Sequence, residues 1–268
     1  MKIAHECPNS IFKRIDELTD YSYCLVHLYE ENEQYRKHFQ EAKAREREII
    51  LDNSIFELGT AFDSSKYAKI IQELQPTWYI VPDVLEDSRK TWFSYLHFIQ
   101  QYSNLPGKRI GVIQGKTYKE LLECYRKIVE AGVEKIAISF DYSYYLTLVD
   151  DLYNITVEEK YMKGRQAFLD LFLRSEEFLS NPKPIHLLGC FLPQEFCYYK
   201  EQDYFYLIDS LDTSNPVVHG LKEITYESFG LSKKESQKLF TLINSEVTPE
   251  QFDCIEYNIQ LFKKFCND

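Results

Sequence analysis

Eight short apolar segments, rich in Ile, Val and Tyr, alternate along the chain with amphipathic stretches of helical spacing. They are 2–6 (KIAHE), 22–28 (SYCLVHL), 48–52 (EIILD), 78–82 (WYIVP), 109–113 (RIGVI), 135–140 (KIAISF), 185–190 (IHLLGC) and 204–209 (YFYLID). Strands joined through helices rather than tight turns run parallel, because each crossover carries the chain back to the same end of the sheet. Eight such units in 268 residues predict an α/β fold of the (β/α)8 TIM type, which takes about 250 residues.

The connections carry helix signals. Residues 66–74 repeat apolar positions at helical spacing and stop before Pro76, and 87–102 form a second such stretch. Thr117-Tyr-Lys-Glu120 has the form of a capping box, and its helix should end near Gly132. A long helix is expected over 157–179, closed by Asn181-Pro182. Ser232-Lys-Lys-Glu235 and Thr248-Pro-Glu-Gln251 have the form of two further helix starts, a C-terminal helical pair against the barrel. Residues 29–47 form a charged helical insertion, and 141–157 (DYSYYLTLVDDLYNITV) a Tyr-rich excursion after the sixth strand. With no repeat, low-complexity tract or linker, residues 1–268 are expected to form one domain.

A net charge of −11 argues against loose, charge-driven binding to nucleic acid or anionic membrane. The local basic clusters, among them Arg36/Lys37, Arg89/Lys90 and Lys233/Lys234, are expected on solvated faces. The 21 Tyr and 18 Phe point to ring-filled helix–sheet interfaces and to stacking surfaces near a ligand. The seven cysteines are scattered, with no CxxC spacing and no His beside a Cys pair, so reduced, buried thiols are expected and no metal site. The first ten residues, MKIAHECPNS, lack an apolar signal core and no apolar run is long enough to span a membrane, which predicts a cytoplasmic protein.

Polar residues recur where the strands should end. Asp52 closes the third segment, Asp83 and Gln114 follow the fourth and fifth, Asp141 follows the sixth, and Asp209 closes the eighth. A parallel barrel gathers such ends at one mouth, where barrel enzymes hold their chemistry. Two carboxylates across a pocket suit substitution at an anomeric carbon. One attacks the sugar while the other, its pKa raised by burial and repulsion, moves protons.

From about the second strand to the eighth, these segments resemble the tRNA-guanine transglycosylases and their DNA-modifying phage and bacterial relatives. Asp52-Asn-Ser-Ile-Phe56 fits the family's Asp-Ser-Gly-Gly-Phe/Tyr segment, which implies Asp52 as general base and Phe56 as the ring that stacks on the nucleobase. Val81-Pro-Asp83 fits the Phe-Asp-Glu segment, with Asp83 reading the base, and Gly111-Val-Ile-Gln114-Gly115 matches Gly-Ile-Val-Gln-Gly. His186-Leu-Leu188-Gly189 matches Tyr-Leu-Met-Gly, with Leu188 as the second wall of the base sandwich. Leu207-Ile-Asp209-Ser210 matches Phe-Asp-Cys, which implies Asp209 as nucleophile.

The departures are informative. The zinc-binding Cys cluster is missing, Ser139-Phe140 replaces a Gly-Gly pair, and Asp212-Thr-Ser-Asn215 replaces Pro-Thr-Arg. With the acidic charge, these losses favour a compact enzyme acting on DNA rather than tRNA. The resemblance implies exchange of a flipped-out guanine for a free 7-deazaguanine base such as preQ0, with no cofactor. A second copy of the chain or an accessory protein is allowed as partner. Two alternatives are a non-catalytic nucleic-acid-binding subunit and a hydrolytic glycosylase using the same carboxylates.

Overall fold

The computed structural model describes residues 1–150, 155–235 and 237–267. Eight strands are present: β1 Lys2–Ala4, β2 Ser22–Leu25, β3 Ile49–Asp52, β4 Trp78–Ile80, β5 Lys108–Val112, β6 Lys135–Ser139, β7 Ile185–Leu188 and β8 Ile208–Asp212. They form one sheet in the order β1-β8-β7-β6-β5-β4-β3-β2. The pairings with a defined register are parallel, including Leu25↔Asp52, Leu51↔Tyr79, Ile80↔Ile110, Val112↔Ala137 and Ala4↔Asp212. The fold is α/β, of the (β/α)8 type that the alternation predicts.

By compactness the chain divides into two units. Residues 21–138 and 180–186 form one; 1–20, 139–179 and 187–268 form the other.

In the unit of residues 21–138, β2 and β3 are buried along their length and β4 and β5 from their second and third residues onward, as a parallel sheet covered on both faces requires. Helix Tyr118–Glu130 shows how sequence writes this layer. Thr117 caps it by accepting the Glu120 amide at 3.2 Å. Its apolar face, Leu121, Cys124, Tyr125, Ile128 and Val129, is buried at helical spacing, and Gly132 follows at φ +81°. The box is incomplete, because the Glu120 carboxylate reaches past the cap to the Lys116 amide at 2.7 Å. Gly111 lets β5 press onto this helix, since a Cβ there would stand 2.5 Å from Ile128. The segment expected as strand to residue 28 stops at Leu25, and helix Val26–Glu31 begins at once. Helix Glu33–Ala44 follows within the anticipated insertion, capped by Asn32.

In the unit that carries β1 and β8, three expectations change. The helix expected over 157–179 is two helices, Val157–Leu173 and Glu176–Leu179, parted where the Ser175 hydroxyl bonds back to the Phe172 carbonyl at 2.7 Å. No helix opens at Ser232. Glu235, which would close that box, bonds instead to Lys222 at 2.7 Å and donates its amide to His219 Nε2. The C-terminal pair is Asn215–Leu221 with Pro249–Asn267, the latter opened by the reciprocal Thr248–Gln251 bonds. Here Gly220 meets Ile255 so closely that a Cβ would stand 2.4 Å from its side chain. Of the Tyr-rich excursion, Ser143–Thr147 forms a 3-10 turn, while 151–154 lie outside the described residues.

The third change concerns β8. Of the apolar run 204–209 only Ile208 and Asp209 are strand: Phe205–Leu207 form a 3-10 turn with Tyr206 exposed, while the Tyr204 hydroxyl bonds to Asp170 at 2.7 Å. The strand runs 208–212. Asp209 therefore sits near its beginning and does not close it; Asp212 does.

Candidate functional site

In the unit of β2 to β5, the segments after three neighbouring strands build one buried polar network. Asp52, the last residue of β3, turns its carboxylate onto the following loop and accepts the Ser54 amide at 2.6 Å. Asn53 accepts the Ile55 amide at 3.0 Å, so the side chains of 52 and 53 hold consecutive turns of the backbone. Ser54 between them is in the left-handed region at φ +58°, ψ +26°, a conformation that costs a non-glycine residue on the order of 1–2 kcal/mol.

Asn53 then reaches across to the next strand end. Its amide nitrogen donates to Asp83 Oδ1 at 2.8 Å and to the Val81 carbonyl at 3.3 Å. From the other side, Gln114 Nε2 donates to Asp83 Oδ2 at 2.7 Å. The Gln114 carbonyl oxygen accepts the amide of Glu86 at 2.8 Å, and its own backbone amide meets Cys124 Sγ. Asp83 is thus a carboxylate gripped by two amides, one from each neighbouring strand end, each oxygen retaining a lone pair. Burial pushes its pKa up to about 6, against the pull of the Asn53 and Gln114 hydrogen bonds. A carboxylic acid that titrates near neutrality at a strand end is suited to accepting or releasing a proton.

Phe56 lies one turn beyond, in the short helix Ile55–Leu58, and is 43% exposed. Part of that ring faces solvent beside the buried polar groups, a surface on which a flat ligand can stack. Leu85, in the loop after β4, is exposed as well. Gly115 belongs to the same end of β5; a Cβ there would meet Glu120 Cβ at 2.7 Å, so the residue lets the loop pass over the start of the next helix. Asp52 also faces Cys24 and Tyr67, whose ionisation its charge opposes after the larger effect of their own burial.

The other unit holds Ser139, Phe140, Leu188, Gly189 and Asp209. Ser139 ends β6 with its backbone enclosed by tyrosines: its amide donates to the Tyr142 hydroxyl and its carbonyl accepts from Tyr145. Its hydroxyl donates to Asp141 at 2.6 Å. Tyr142 and Tyr145 are buried packing residues. Gly189 follows β7 at φ +59° with Phe140 against it; a Cβ would stand 2.6 Å from that ring. The carbonyls of Leu188 and Gly189 both accept from Arg165, at 3.1 and 2.9 Å. Arg165 is wholly buried and forms a two-pronged ion pair with Glu195, Nε–Oε1 2.6 Å and Nη2–Oε2 2.9 Å. This buried pair pins the exit of β7, and nothing in the linear pattern marked it.

In β8, Asp209 is half-buried near the amino end, and Asp212 is buried at the carboxyl end. Three residues apart on a strand means about 10 Å of rise and opposite faces of the pleat. The signal for Asp212 was present in Leu211-Asp212-Thr213, hidden behind a more apolar run just upstream. Next to it, Thr213 donates its amide to the Ala4 carbonyl, and its own carbonyl accepts from His5 Nδ1 at 2.8 Å, which fixes that imidazole as the Nδ1–H tautomer. His27, His186 and His219 are buried. Cys7, Cys24, Cys124, Cys190, Cys254 and Cys266 are buried free thiols, and Cys197 is half-buried.

Neither a protein-family model nor a curated protein matches the chain. Among solved structures it is similar to 3-hexulose-6-phosphate synthase from Salmonella typhimurium, at a TM-score of 0.50 and 11% identity over 99% of this chain and 100% of that one. It also aligns with the catalytic domain of a chitinase from Pyrococcus furiosus, at 0.48 and 10% identity over 99% and 96% of the two chains. The first likeness supports the fold and nothing finer. No helix among the described residues is long and apolar enough to cross a membrane.

Proposed function

We propose that this chain is a nucleic-acid guanine transglycosylase, exchanging a target guanine for a 7-deazaguanine base, with DNA favoured over tRNA. The observation that carries the reading is the Asn53–Asp83–Gln114 network laid directly beside Asp52. Guanine presents ring and exocyclic N–H donors next to a carbonyl acceptor. Asp83 can accept from the donors through its second lone pairs while an amide such as that of Gln114 donates to the carbonyl. Phe56 supplies the stacking ring. The left-handed backbone at Ser54, at the position of a family glycine, supports the same alignment.

The chemistry is double displacement. A carboxylate attacks C1′ and guanine leaves as Asp52 gives it a proton; the incoming base then returns a proton to Asp52 as it attacks C1′, releasing the carboxylate. Of the two β8 carboxylates we assign the attack to Asp212, since the strand position inferred for Asp209 belongs to it. Leu188 keeps its proposed role as a wall through its side chain, its carbonyl being held by Arg165.

The test is incubation of the protein with DNA or tRNA and radiolabelled guanine or preQ0, followed by nucleoside mass analysis. Label should enter one of the two polymers, and Asp52→Asn and Asp212→Asn should each slow entry at least a thousandfold. No label in either polymer would overturn the reading, and base released without replacement would make the enzyme a hydrolase. Loss of exchange in Asp209→Asn with retention in Asp212→Asn would return the nucleophile to 209.

A further inference from the structure

Helix Ser88–Gln101 follows β4 and helix Tyr118–Glu130 follows β5, and the two pack side by side. Each runs back along its strand, so their first turns stand at the end where β4 and β5 stop and where Asp83 meets Gln114. Arg89 and Lys119 lie in those first turns, and Lys116 lies on the way into the second helix. Side chains of a helix lean toward its amino end. The three exposed cations therefore belong to the solvent side of this strand end.

The acids of the same turns are engaged locally. Asp87 caps its helix at the Lys90 amide and pairs with the Lys90 ammonium at 3.1 Å. The Glu120 carboxylate is drawn onto the Lys116 amide at 2.7 Å, Glu123 pairs with Lys127 at 2.7 Å, and Glu86 is half-buried. Among the described residues Arg89, Lys116 and Lys119 form no salt bridge. Phe93, 56% exposed, lies one turn beyond Arg89 with the guanidinium 5.8 Å from its ring centre. The turns themselves are braced: the Thr91 hydroxyl exchanges 3.0 Å bonds with the Val84 amide and carbonyl, and Gln114 holds the Glu86 amide. The cations are thus fixed to the same frame as the buried network.

We propose that Arg89, Lys116 and Lys119 hold the phosphates of a nucleic-acid strand next to the base presented to Asp83 and Gln114. The inference deepens the transglycosylase reading and rests on it for the choice of a polymer over a free anion. Arg89 grips a phosphate through two N–H groups of its planar fork, while the lysines act as point charges. In a chain of net charge −11 the attraction is confined to these few contacts. Binding therefore carries a shallow salt dependence, set by the phosphates the three cations neutralise.

The experiment measures binding of fluorescent guanine-containing DNA, and separately of tRNA, to the full-length protein across a salt titration. The triple variant Arg89→Glu/Lys116→Glu/Lys119→Glu, checked by thermal melting, should bind at least tenfold more weakly at low salt, with the log–log salt slope reduced by about 2–3. Lys69→Glu/Arg126→Glu, exposed on the same helical layer but farther from the strand ends, should leave the slope unchanged. If the triple variant melts out, Arg89→Gln/Lys116→Gln replaces it and should lower the slope by about 1–2. No binding by wild type, or a loss no larger than in the control pair, would overturn the inference. Displacement by inorganic phosphate beyond that by chloride of equal ionic strength would make this a free-anion site and overturn it as well. Weakened binding in the triple variant without any base exchange by wild type would keep the phosphate surface and remove the transglycosylase reading instead.

Discussion

The side-chain amide of Asn53 donates to Asp83 at 2.8 Å, tying the residue that follows β3 to the one that follows β4. Gln114 makes the matching contact from β5 at 2.7 Å. Each oxygen keeps a second lone pair, so Asp83 can take up a proton while both amides stay in place, and its burial links that proton to folding.

That linkage has a definite sign. Asp83 has a folded pKa of about 6 against roughly 4 in the unfolded chain. The folded form binds the proton more tightly, so the contribution of Asp83 to stability grows as pH falls through 6 and is complete below about 4. The span is on the order of 3 kcal/mol. In urea titrations from pH 7.5 to 4.5, wild type should gain stability relative to Asp83→Asn as the pH falls. A constant difference across the range would mean that Asp83 does not titrate there.

His5 runs the other way. Burial lowers its pKa to about 4, below the unfolded value near 6.5, so its stabilising contribution is present above 6.5 and lost as pH falls toward 4. The full effect is on the order of 3 kcal/mol. His5→Phe, which can keep the edge contact with Phe262, should remove this acid sensitivity. Wild type should accordingly show a shallow profile in which two opposed titrations offset one another, and each single variant should expose a slope of opposite sign.

Backbone strain at Ser54 should decide which residues the loop accepts. Ser54→Gly is expected within about 1 kcal/mol of wild type, because relief at φ +58° offsets the entropy of glycine. Ser54→Val should cost about 2 kcal/mol or more, since a β-branched residue tolerates that region poorly. Chemical denaturation measures both; equal cost would show that the loop relaxes.

The Arg165–Glu195 pair should behave as a unit. Arg165→Met strands a buried carboxylate and frees two carbonyls at the exit of β7, with an expected loss of about 3–5 kcal/mol. The double variant Arg165→Met/Glu195→Gln should recover part of that loss, because no uncompensated charge remains. A double-mutant cycle with additive losses would contradict the coupling.

The strands were legible because buried parallel strands are short and apolar throughout, and the helices because their caps sit in plain view at Thr117 and Thr248. The sheet end of β8 was not. Tyr204 to Leu207 carry more apolar bulk than the strand itself, yet Tyr204 is spent on Asp170 and Tyr206 faces solvent. A composition window cannot see either partner. The Ser232 box failed for the same kind of reason: its glutamate is taken by Lys222, thirteen positions upstream. Asp52, Asp83 and Gln114 could be picked out as polar residues ending apolar runs. The residue that joins two of them, Asn53, could not, because an amide's role depends on what stands across from it.

The absence of a side chain at position 220 has a consequence for the chain as a whole. The terminal helix is seated at a point where Ile255 fills the space a methyl group would occupy, so its depth is dictated by a hydrogen atom. Gains of bulk at that one site would lift the last nineteen-residue helix off its seat as a lever, while most of its outward positions remain open to drift. A survey of natural variation should therefore find this small residue invariant inside an otherwise permissive tail.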